Sequence, residues 1–286
     1  MINYDRYEFE IDGTVLKKYN GDSSAVAIPE GVEKIGYDAF AGKSTLIEVT
    51  FPKSLKVVGF SAFKSCSNLS AVNFSESITA INDEAFRFCG KLKNVQLPES
   101  LVSIGRWAFT DCISLESVYV PNSVKSIAFS AFSGCKSLFE ISLPDGLTVV
   151  EDYLFNGCAG LARIKIPSSS TSIGNWAFKD CTALESVVLP EKTTIVGEGA
   201  FKNCISLKSV SLSENTVSIG RWAFSGCASL TEIFIPQRVT VIDMCAFAEC
   251  PELTVYCETK KPFFGLPKKW NKHWLGDNGA KAVWNK

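Results

Sequence analysis

The chain is poor in the residues on which much enzyme and metal chemistry depends. It contains one histidine, His273, and two methionines in 286 residues, so mechanisms that need two imidazoles are excluded. Its formal net charge is −1, which gives the whole chain no strong attraction for nucleic acid or a charged membrane. No stretch approaches the roughly 18 apolar residues of a membrane-spanning helix. Residues Met1 to Asp5 lack the basic and apolar regions of a signal peptide, so we expect none.

Cysteine, by contrast, is abundant, and its spacing is regular. Nine of the 11 cysteines follow one another at intervals of 23 residues: Cys66, Cys89, Cys112, Cys135, Cys158, Cys181, Cys204, Cys227 and Cys250. A phenylalanine recurs with the same period from Phe40 to Phe247, and a leucine follows each of them after six residues, from Leu46 to Leu253. Self-similarity at a fixed period of this length is typical of a stacked repeat protein.

Each 23-residue unit predicts one coil of a solenoid. Apolar and polar residues alternate along Leu115–Pro121, which indicates a half-buried strand that ends at the proline. The apolar pair Val124 and Ile127 predicts a minor extended segment, and the spacing within Arg106–Cys112 favours a short helical turn. We therefore predict an α/β repeat solenoid with a parallel sheet on one face, expected to be concave, and short helical or 3₁₀ turns opposite.

The repeat resembles a known family. Val32–Phe40, followed by units of the form Phe-x-x-Cys-x-x-Leu-x-x-Val-x-Leu-Pro, is similar to the BspA-like leucine-rich repeats of host-associated bacteria and some parasitic protists. The resemblance implies a right-handed leucine-rich-repeat coil that is capped at both ends. We expect an N-terminal cap hairpin over residues 1–24, about ten repeats over 25–256 and a C-terminal cap over 257–286.

The two caps are also expected from this resemblance. Phe9–Tyr19 looks like the family's capping hairpin, with Gly13 at its turn. The residues that look like the C-terminal cap run from Lys261 and Pro262 to Trp270 and include Trp274, Val283 and Trp284.

The resemblance implies a binding role without catalysis. Known members of the family are mostly surface or secreted adhesins that bind host matrix proteins or other cells. We expect one protein partner of unknown identity, no cofactor, no metal, no nucleic acid, no membrane insertion and a monomeric state. The cellular location stays open, because the family is mostly exported while buried free thiols and the absence of a leader favour a reducing compartment.

The outward positions of the predicted strands supply the candidate binding residues. Most of these positions hold small polar residues, as expected of a solvated sheet face. The residues that depart from this pattern are Tyr119, Glu140, Arg163, Lys165, Val188 and Phe234. Tyrosine and arginine often dominate the energy of protein interfaces. We predict that a protein partner binds to the strip formed by these six residues. The alternative is that they are ordinary variation of a solvated surface.

The cysteine column is expected to line the interior. Cysteine is a small, readily buried hydrophobe, so nine aligned thiols are interpreted as core residues. Their odd number disfavours disulfides along the column, and a straight row does not surround a metal ion as a tetrahedral site must. Cys245 and Cys257 lie outside the column, and either two free thiols or a disulfide between them fits the sequence.

A column of aromatic residues suggests a second possible function, the binding of a carbohydrate. Trp107, Trp176 and Trp222 precede the Ala-Phe step of their repeats, and Tyr153 takes this place in another. Packing between coils explains such a column, and its alternative is an aromatic platform for a carbohydrate. His273 is expected on the cap surface, and the sequence offers no convergent acid–base pair, so we predict that the chain is not an enzyme.

Overall fold

Every regular element that the structure describes is a β-strand. The computed structural model describes residues 8–260, 267, 269–277 and 279–285. The chain divides into two units, Met1–Pro144 and Asp145–Lys286. Lys261 and Pro262, which belong to the predicted C-terminal cap, lie outside the described residues.

The first unit contains 13 strands. They are β1 (Phe9–Asp12), β2 (Val15–Tyr19), β3 (Ala25–Ala27), β4 (Lys34–Ile35), β5 (Glu48–Thr50), β6 (Val57–Val58), β7 (Ala71–Asn73), β8 (Ala80–Ile81), β9 (Asn94–Gln96), β10 (Ser103–Ile104), β11 (Ser117–Tyr119), β12 (Ser126–Ile127) and β13 (Glu140–Ser142). One sheet has the order β13-β11-β9-β7-β5-β3, and the second has the order β1-β2-β4-β6-β8-β10-β12. From β3 onward each coil thus contributes one strand of three residues to the first sheet and one of two residues to the second.

Pairing in both sheets follows the sequence period. Val118 of β11 lies opposite Val95 of β9 and Ile141 of β13, and all three strands are parallel. Residues 23 positions apart are therefore stacked neighbours, as the sequence predicts. Because side chains alternate across a strand, the central valine or isoleucine is buried and its two neighbours face outward.

An antiparallel hairpin stands at the start of the second sheet. Strands β1 and β2 pair with each other, and β2 pairs in parallel with β4. Gly13 between them has a φ of 58°, a conformation that glycine adopts without the steric cost of a Cβ atom. Tyr19 is buried and stacks on Phe40 with a ring-centroid distance of 5.0 Å, so the hairpin covers the first aromatic ring of the repeats.

The second unit contains 11 strands. They are β14 (Val149–Val150), β15 (Ser172–Ile173), β16 (Ser186–Val188), β17 (Ile195–Val196), β18 (Ser209–Ser211), β19 (Ser218–Ile219), β20 (Glu232–Ile235), β21 (Val241–Ile242), β22 (Thr254–Lys260), β23 (Lys269–Trp270) and β24 (Lys281–Asn285). The minor strands form the sheet β14-β15-β17-β19-β21-β23. The main strands form the pair β16-β18 and the sheet β20-β22-β24. All of these pairings are parallel.

The strict period ends at β22. Phe234 of β20 lies opposite Tyr256, 22 residues later, rather than opposite Cys257. A shift of one residue exchanges the two faces of a strand. Cys257 is therefore buried, and Tyr256 takes the outward position.

Stacked phenylalanine rings form the centre of each unit. Successive rings from Phe63 to Phe132 are 5.3 to 5.4 Å apart, and those from Phe155 to Phe247 are 5.2 to 5.5 Å apart. These separations are close to the strand spacing of about 4.8 Å, so one ring per coil packs without voids. Trp274 meets Phe247 edge-on at 5.8 Å and ends the second series.

The prediction of short helical or 3₁₀ turns is wrong. Two residues in every coil adopt a left-handed conformation, which interrupts any right-handed helix. In the coil around Phe63 these are Ser61, with a φ of 52°, and Ser65, with a φ of 60°. The N–H groups of Ser61, Phe63 and Ser65 donate to carbonyls of the next coil at 2.7 to 2.9 Å, instead of to their own coil. The turns therefore form a third column of hydrogen bonds between coils.

The same pair of left-handed positions recurs through both units. The first is occupied by Asp38, Ser61, Glu84, Trp107, Ser130, Tyr153, Trp176, Gly199, Trp222 and Cys245. The second is occupied by Gly42, Ser65, Phe88, Asp111, Gly134, Gly157, Asp180, Asn203, Gly226 and Glu249. Glycine, asparagine and aspartate, which tolerate this conformation best, fill most of the second column.

Candidate functional site

The strand face of the first unit carries Tyr119 and Glu140. They lie on the adjacent strands β11 and β13, where Tyr119 is opposite Ser142 and Glu140 is opposite Ser117. This places them as diagonal neighbours on one face, within reach of a single partner side chain. Tyr119 is 53% exposed, and Phe139, next to Glu140, is 52% exposed. Phe139 was not among the residues predicted from the sequence, because it lies outside the two outward strand columns.

Arg163 and Lys165 belong to a segment without an assigned strand. Both side chains are exposed, and the intervening Ile164 is less so, which keeps the outward alternation of the other coils. Lys165 forms an ion pair with Asp145 at 3.4 Å, and both side chains are largely exposed. Such a pair contributes little to stability, so Lys165 stays available to a partner.

The strand face of the second unit carries the larger apolar surface. Val188 is 67% exposed and Phe234 is 55% exposed. Phe234 stacks on Tyr256 with a centroid distance of 5.0 Å, and Tyr256 lies opposite Val283 of β24. Outward aromatic and aliphatic side chains thus continue across β20, β22 and β24, with Phe234 and Val283 exposed and Tyr256 half-buried.

Two hollows of about 250 and 270 Å³ lie along this surface. They share Phe234 and Glu258, and the larger one is also lined by Glu214 and Glu232. Among the described residues, none that lines either hollow is a lysine or an arginine. The described part of this surface therefore combines aromatic rings with three carboxylates.

Tyr256 and Val283 were not among the contact residues predicted from the sequence. A period of 23 places Cys257, rather than Tyr256, on the outward face after Phe234. The signal that reveals the shift is local, because Val255 and Cys257 alternate with the more polar Thr254 and Tyr256.

The aromatic column lies on the turns, at the first left-handed position. In the first unit Trp107 meets Phe129 edge-on at 5.2 Å. In the second unit the rings of Tyr153 and Trp176 are 6.5 Å apart, and those of Trp176 and Trp222 are 6.0 Å apart. All three tryptophans are half-buried, so their side chains pack between coils and also keep part of their surface exposed.

Gly199 explains how two tryptophans from non-adjacent coils meet. It occupies the aromatic position of the coil between Trp176 and Trp222. A Cβ atom at Gly199 would collide with Cε3 and Cζ3 of Trp176. The missing side chain therefore leaves the space into which the indole of Trp176 extends toward Trp222.

Two cations border this aromatic pair. The guanidinium carbon of Arg221 lies 3.7 Å from the ring centroid of Trp222, and Nζ of Lys202 lies 5.0 Å from it. The nearby Asp180 hydrogen-bonds with Lys179 and Asn203. Burial raises the pKa of Asp180, but these hydrogen bonds and the charges of Lys179 and Lys202 outweigh it and hold the pKa below its usual value.

The thiols of the cysteine column are unsuited to nucleophilic chemistry. Cys66 donates its S–H to the carbonyl of Phe40 at 3.1 Å, and Cys112 does the same to Phe86 at 3.2 Å. Burial raises the pKa of Cys66 from 9.0 to about 12 and that of Cys112 further still. Since the thiolate is the reactive form, these residues are structural.

The remaining candidate groups are Cys245, Cys257 and His273. Cys245 and Cys257 are free thiols on different elements, a turn and β22. His273 has an exposed side chain, and its carbonyl accepts the N–H of Cys245 at 2.9 Å. Among the described residues, no three histidine, cysteine, aspartate or glutamate side chains are grouped as a metal site would need. Within the same residues, no helix has the length and apolarity to cross a membrane.

Comparisons with solved structures agree with this architecture. A leucine-rich repeat protein from Bacteroides ovatus is 25% identical, with 96% of this chain and 94% of that chain aligned and a TM-score of 0.53. A leucine-rich cell surface protein from Faecalibacterium prausnitzii is 24% identical over 97% and 93% of the two chains, with a TM-score of 0.54. The pneumococcal vaccine antigen PcpA is 20% identical over 92% and 79%, with a TM-score of 0.53. The last two similarities show the fold alone.

The sequence comparison identifies the family. No curated protein matches the chain. The pattern of the BspA type leucine-rich repeat region matches residues 18–139 and 125–254, in six copies, and no catalytic family is indicated. Because these residues make up most of the sequence, the protein belongs to the BspA type leucine-rich repeat family.

Proposed function

We propose that the protein is a non-enzymatic binding module whose strand face holds a protein partner, in an adhesive or assembly role. The observation that carries this proposal is the row formed by the exposed Phe234, the half-buried Tyr256 and the exposed Val283 on three paired strands. Exposed apolar groups that form a continuous surface mark interaction sites more often than scattered ones do. Membership of a repeat family whose proteins serve interaction supports the same role at a general level.

The sheet is also suited to binding in energetic terms. Its backbone hydrogen bonds are already made within the stack, so little conformational entropy is lost when a partner arrives. Glu214, Glu232 and Glu258 border the aromatic residues, and no lysine or arginine is among the described residues that line the hollows. A partner that presents lysine or arginine around an apolar centre would match this surface in both charge and shape.

Tyr119, Glu140, Arg163, Lys165, Val188 and Phe234 are the proposed contact residues, to which we add Tyr256 and Val283. A panel of host extracellular-matrix proteins, tested by surface plasmon resonance, would identify a partner. For a partner found in this way, Phe234→Ala with Tyr256→Ala should weaken binding by at least about 2 kcal/mol, the usual effect of losing a dominant contact. The matched control is Thr50→Ala, which alters the same column at a small exposed residue outside the two hollows and should leave the affinity unchanged. An unaltered affinity in the folded double variant would exclude this face.

A further inference from the structure

The pair of tryptophans on the turns of the second unit has a chemical character different from that of the strand face. Trp176 and Trp222 lie 6.0 Å apart, with Arg221 and Lys202 beside Trp222. The indole N–H groups of both tryptophans make no hydrogen bond to a described residue. Indole, guanidinium and ammonium groups can donate hydrogen bonds but cannot accept them. The cluster is therefore rich in free donors.

Both cations lie over the ring of Trp222 rather than beside a carboxylate. Neither Lys202 nor Arg221 forms an ion pair with any residue of the described ranges, and the buried Nε of Arg221 has no hydrogen-bond partner there. Arg87 occupies a comparable place near Trp107 in the first unit, with its guanidinium carbon 5.9 Å from the indole centroid. It differs in that Glu84 pairs with it at 3.0 Å. Among the described residues, the guanidinium of Arg221 is therefore not neutralised by an ion pair as that of Arg87 is, while the charge of Lys202 also acts on Asp180.

We propose that Trp176, Trp222, Lys202 and Arg221 form a binding site for an anionic saccharide, separate from the protein-binding strand face. The apolar faces of sugar rings would stack against the half-buried indoles. Their hydroxyl oxygens would accept the free indole N–H donors, and a carboxylate or sulfate would be bound by the guanidinium and ammonium groups. Gly199 is part of this site, because it makes room for Trp176 between the coils.

The charge of the chain favours a saccharide over a nucleic acid. Nucleic-acid binding draws its affinity from the neutralisation of many phosphates by a basic surface. The protein as a whole has a formal net charge of −1, and this site has two cations without an ion-pair partner among the described residues. Such a site fits a saccharide in which single negative groups are separated by uncharged sugar rings.

Isothermal titration calorimetry of the full chain with four probes tests the proposal. Hyaluronan carries carboxylates only, chondroitin sulfate carries carboxylates and sulfates, dextran is uncharged, and a thymidine oligonucleotide represents single-stranded nucleic acid. We expect binding of at least one of the two anionic saccharides and no binding of dextran or the oligonucleotide. Hyaluronan binding would assign carboxylate recognition, and binding of chondroitin sulfate alone would assign sulfate recognition.

Two sets of variants then locate the site. Trp176→Ala with Trp222→Ala should lower the saccharide affinity at least about tenfold, the scale of a lost stacking ring. Lys202→Gln with Arg221→Gln, which removes both charges and the contact of the guanidinium with Trp222, should lower the affinity and reduce its salt dependence. Trp107→Ala is the matched control, because its neighbouring arginine is already paired with Glu84, and it should leave the affinity unchanged. Phe234→Ala should also leave it unchanged, which separates this test from that of the strand face.

Several results would overturn the proposal. These are the absence of binding to both anionic saccharides, equal binding of dextran, and equal binding of the oligonucleotide. An equal loss of affinity in Trp107→Ala, or an unchanged affinity in the charge variant, would also exclude this site.

Discussion

Thiols of the cysteine column fill small spaces and donate hydrogen bonds to backbone carbonyls. The carbonyl of Phe63, for example, accepts the N–H of Cys66 in its own coil and the S–H of Cys89 in the next, both at 3.1 Å. Alanine would leave this carbonyl with one partner, while serine would bring a more strongly hydrated hydroxyl into the core. Cysteine is therefore a suitable residue for the position without any redox or metal function.

Burial of these thiols makes stability sensitive to alkaline pH. The pKa of Cys66 rises from 9.0 to about 12 in the folded chain, chiefly because burial disfavours the thiolate. Above pH 9 the unfolded chain therefore loses this proton while the folded chain keeps it. The free energy of unfolding should be unaffected below pH 9 and should fall above it by up to about 1.4 kcal/mol per pH unit for this thiol. The loss should level off as the pH passes the folded-state pKa of about 12.

Urea unfolding at a series of pH values would measure this slope. Cys66→Ala should make the slope between about pH 9 and 11 less steep by that amount. Leu69→Ala is the control, because it removes a buried side chain of the same coil that does not titrate. It should destabilise the protein by about 2–5 kcal/mol and leave the slope as it is. Equal slopes in Cys66→Ala and the parent protein would contradict the interpretation.

At the scale of the element, the sequence predicted the strands well and the turns poorly. Alternation of valine or isoleucine with polar residues is a direct sign of a strand, and prolines such as Pro121 mark its end. The turn was interpreted as helical because Ala108, Phe109 and Cys112 have a spacing that suits a helix. The contrary signal was the position two residues after each phenylalanine, where glycine, asparagine and aspartate recur. Tryptophan at the first left-handed position concealed the pattern, since large residues seldom adopt a positive φ.

Substitution of Gly42 tests whether the turn is left-handed at this position, as in the structure, or helical, as the sequence suggested. The two geometries predict changes of opposite sign in the free energy of unfolding. Its φ is 73°, and a Cβ atom built there would meet nothing within 4 Å. Gly42→Ala should therefore destabilise the protein by about 1 kcal/mol through backbone strain alone. In a helical turn the same change would instead stabilise it by a similar amount.

Gly146 provides the matched control. A Cβ atom there also meets nothing within 4 Å, and its φ is not positive. Gly146→Ala should raise the free energy of unfolding by about 0.4–1 kcal/mol, because alanine restricts the unfolded chain. Thermal unfolding followed by circular dichroism would compare the two variants. A stabilising effect of both would argue for helical geometry at Gly42.

At the scale of the whole molecule, the period of 23 predicted a stacked repeat fold, and the resemblance of the repeat motif indicated the family, but neither located the whole of the proposed binding surface. A repeat places equivalent residues in columns, so the spacing alone assigns Tyr119, Val188 and Phe234 to an outward face. It could not place residues where the period fails, and Tyr256 and Val283 lie beyond that point. Nor could it show which charges are paired, since that depends on side-chain positions such as those of Arg87 and Arg221.

The proposed partner can be used to ask whether both units take part in binding. Tyr119 of the first unit has its strand neighbours on β9 and β13, whereas Phe234 of the second has its neighbour on β22. Since they share no strand neighbour, their effects on one partner should add. We expect Tyr119→Ala and Phe234→Ala each to weaken binding by more than about 1 kcal/mol, and the double variant to show the sum within about 0.5 kcal/mol.

A double-mutant cycle by calorimetry would measure this sum. Val102→Ala is the control, because it removes an exposed apolar side chain that lies outside the assigned strands of the first unit. A normal affinity in Tyr119→Ala, with a large loss in Phe234→Ala, would confine the partner to the second unit. The opposite result would confine it to the first, whereas additive losses would mean that one partner contacts the strand faces of both.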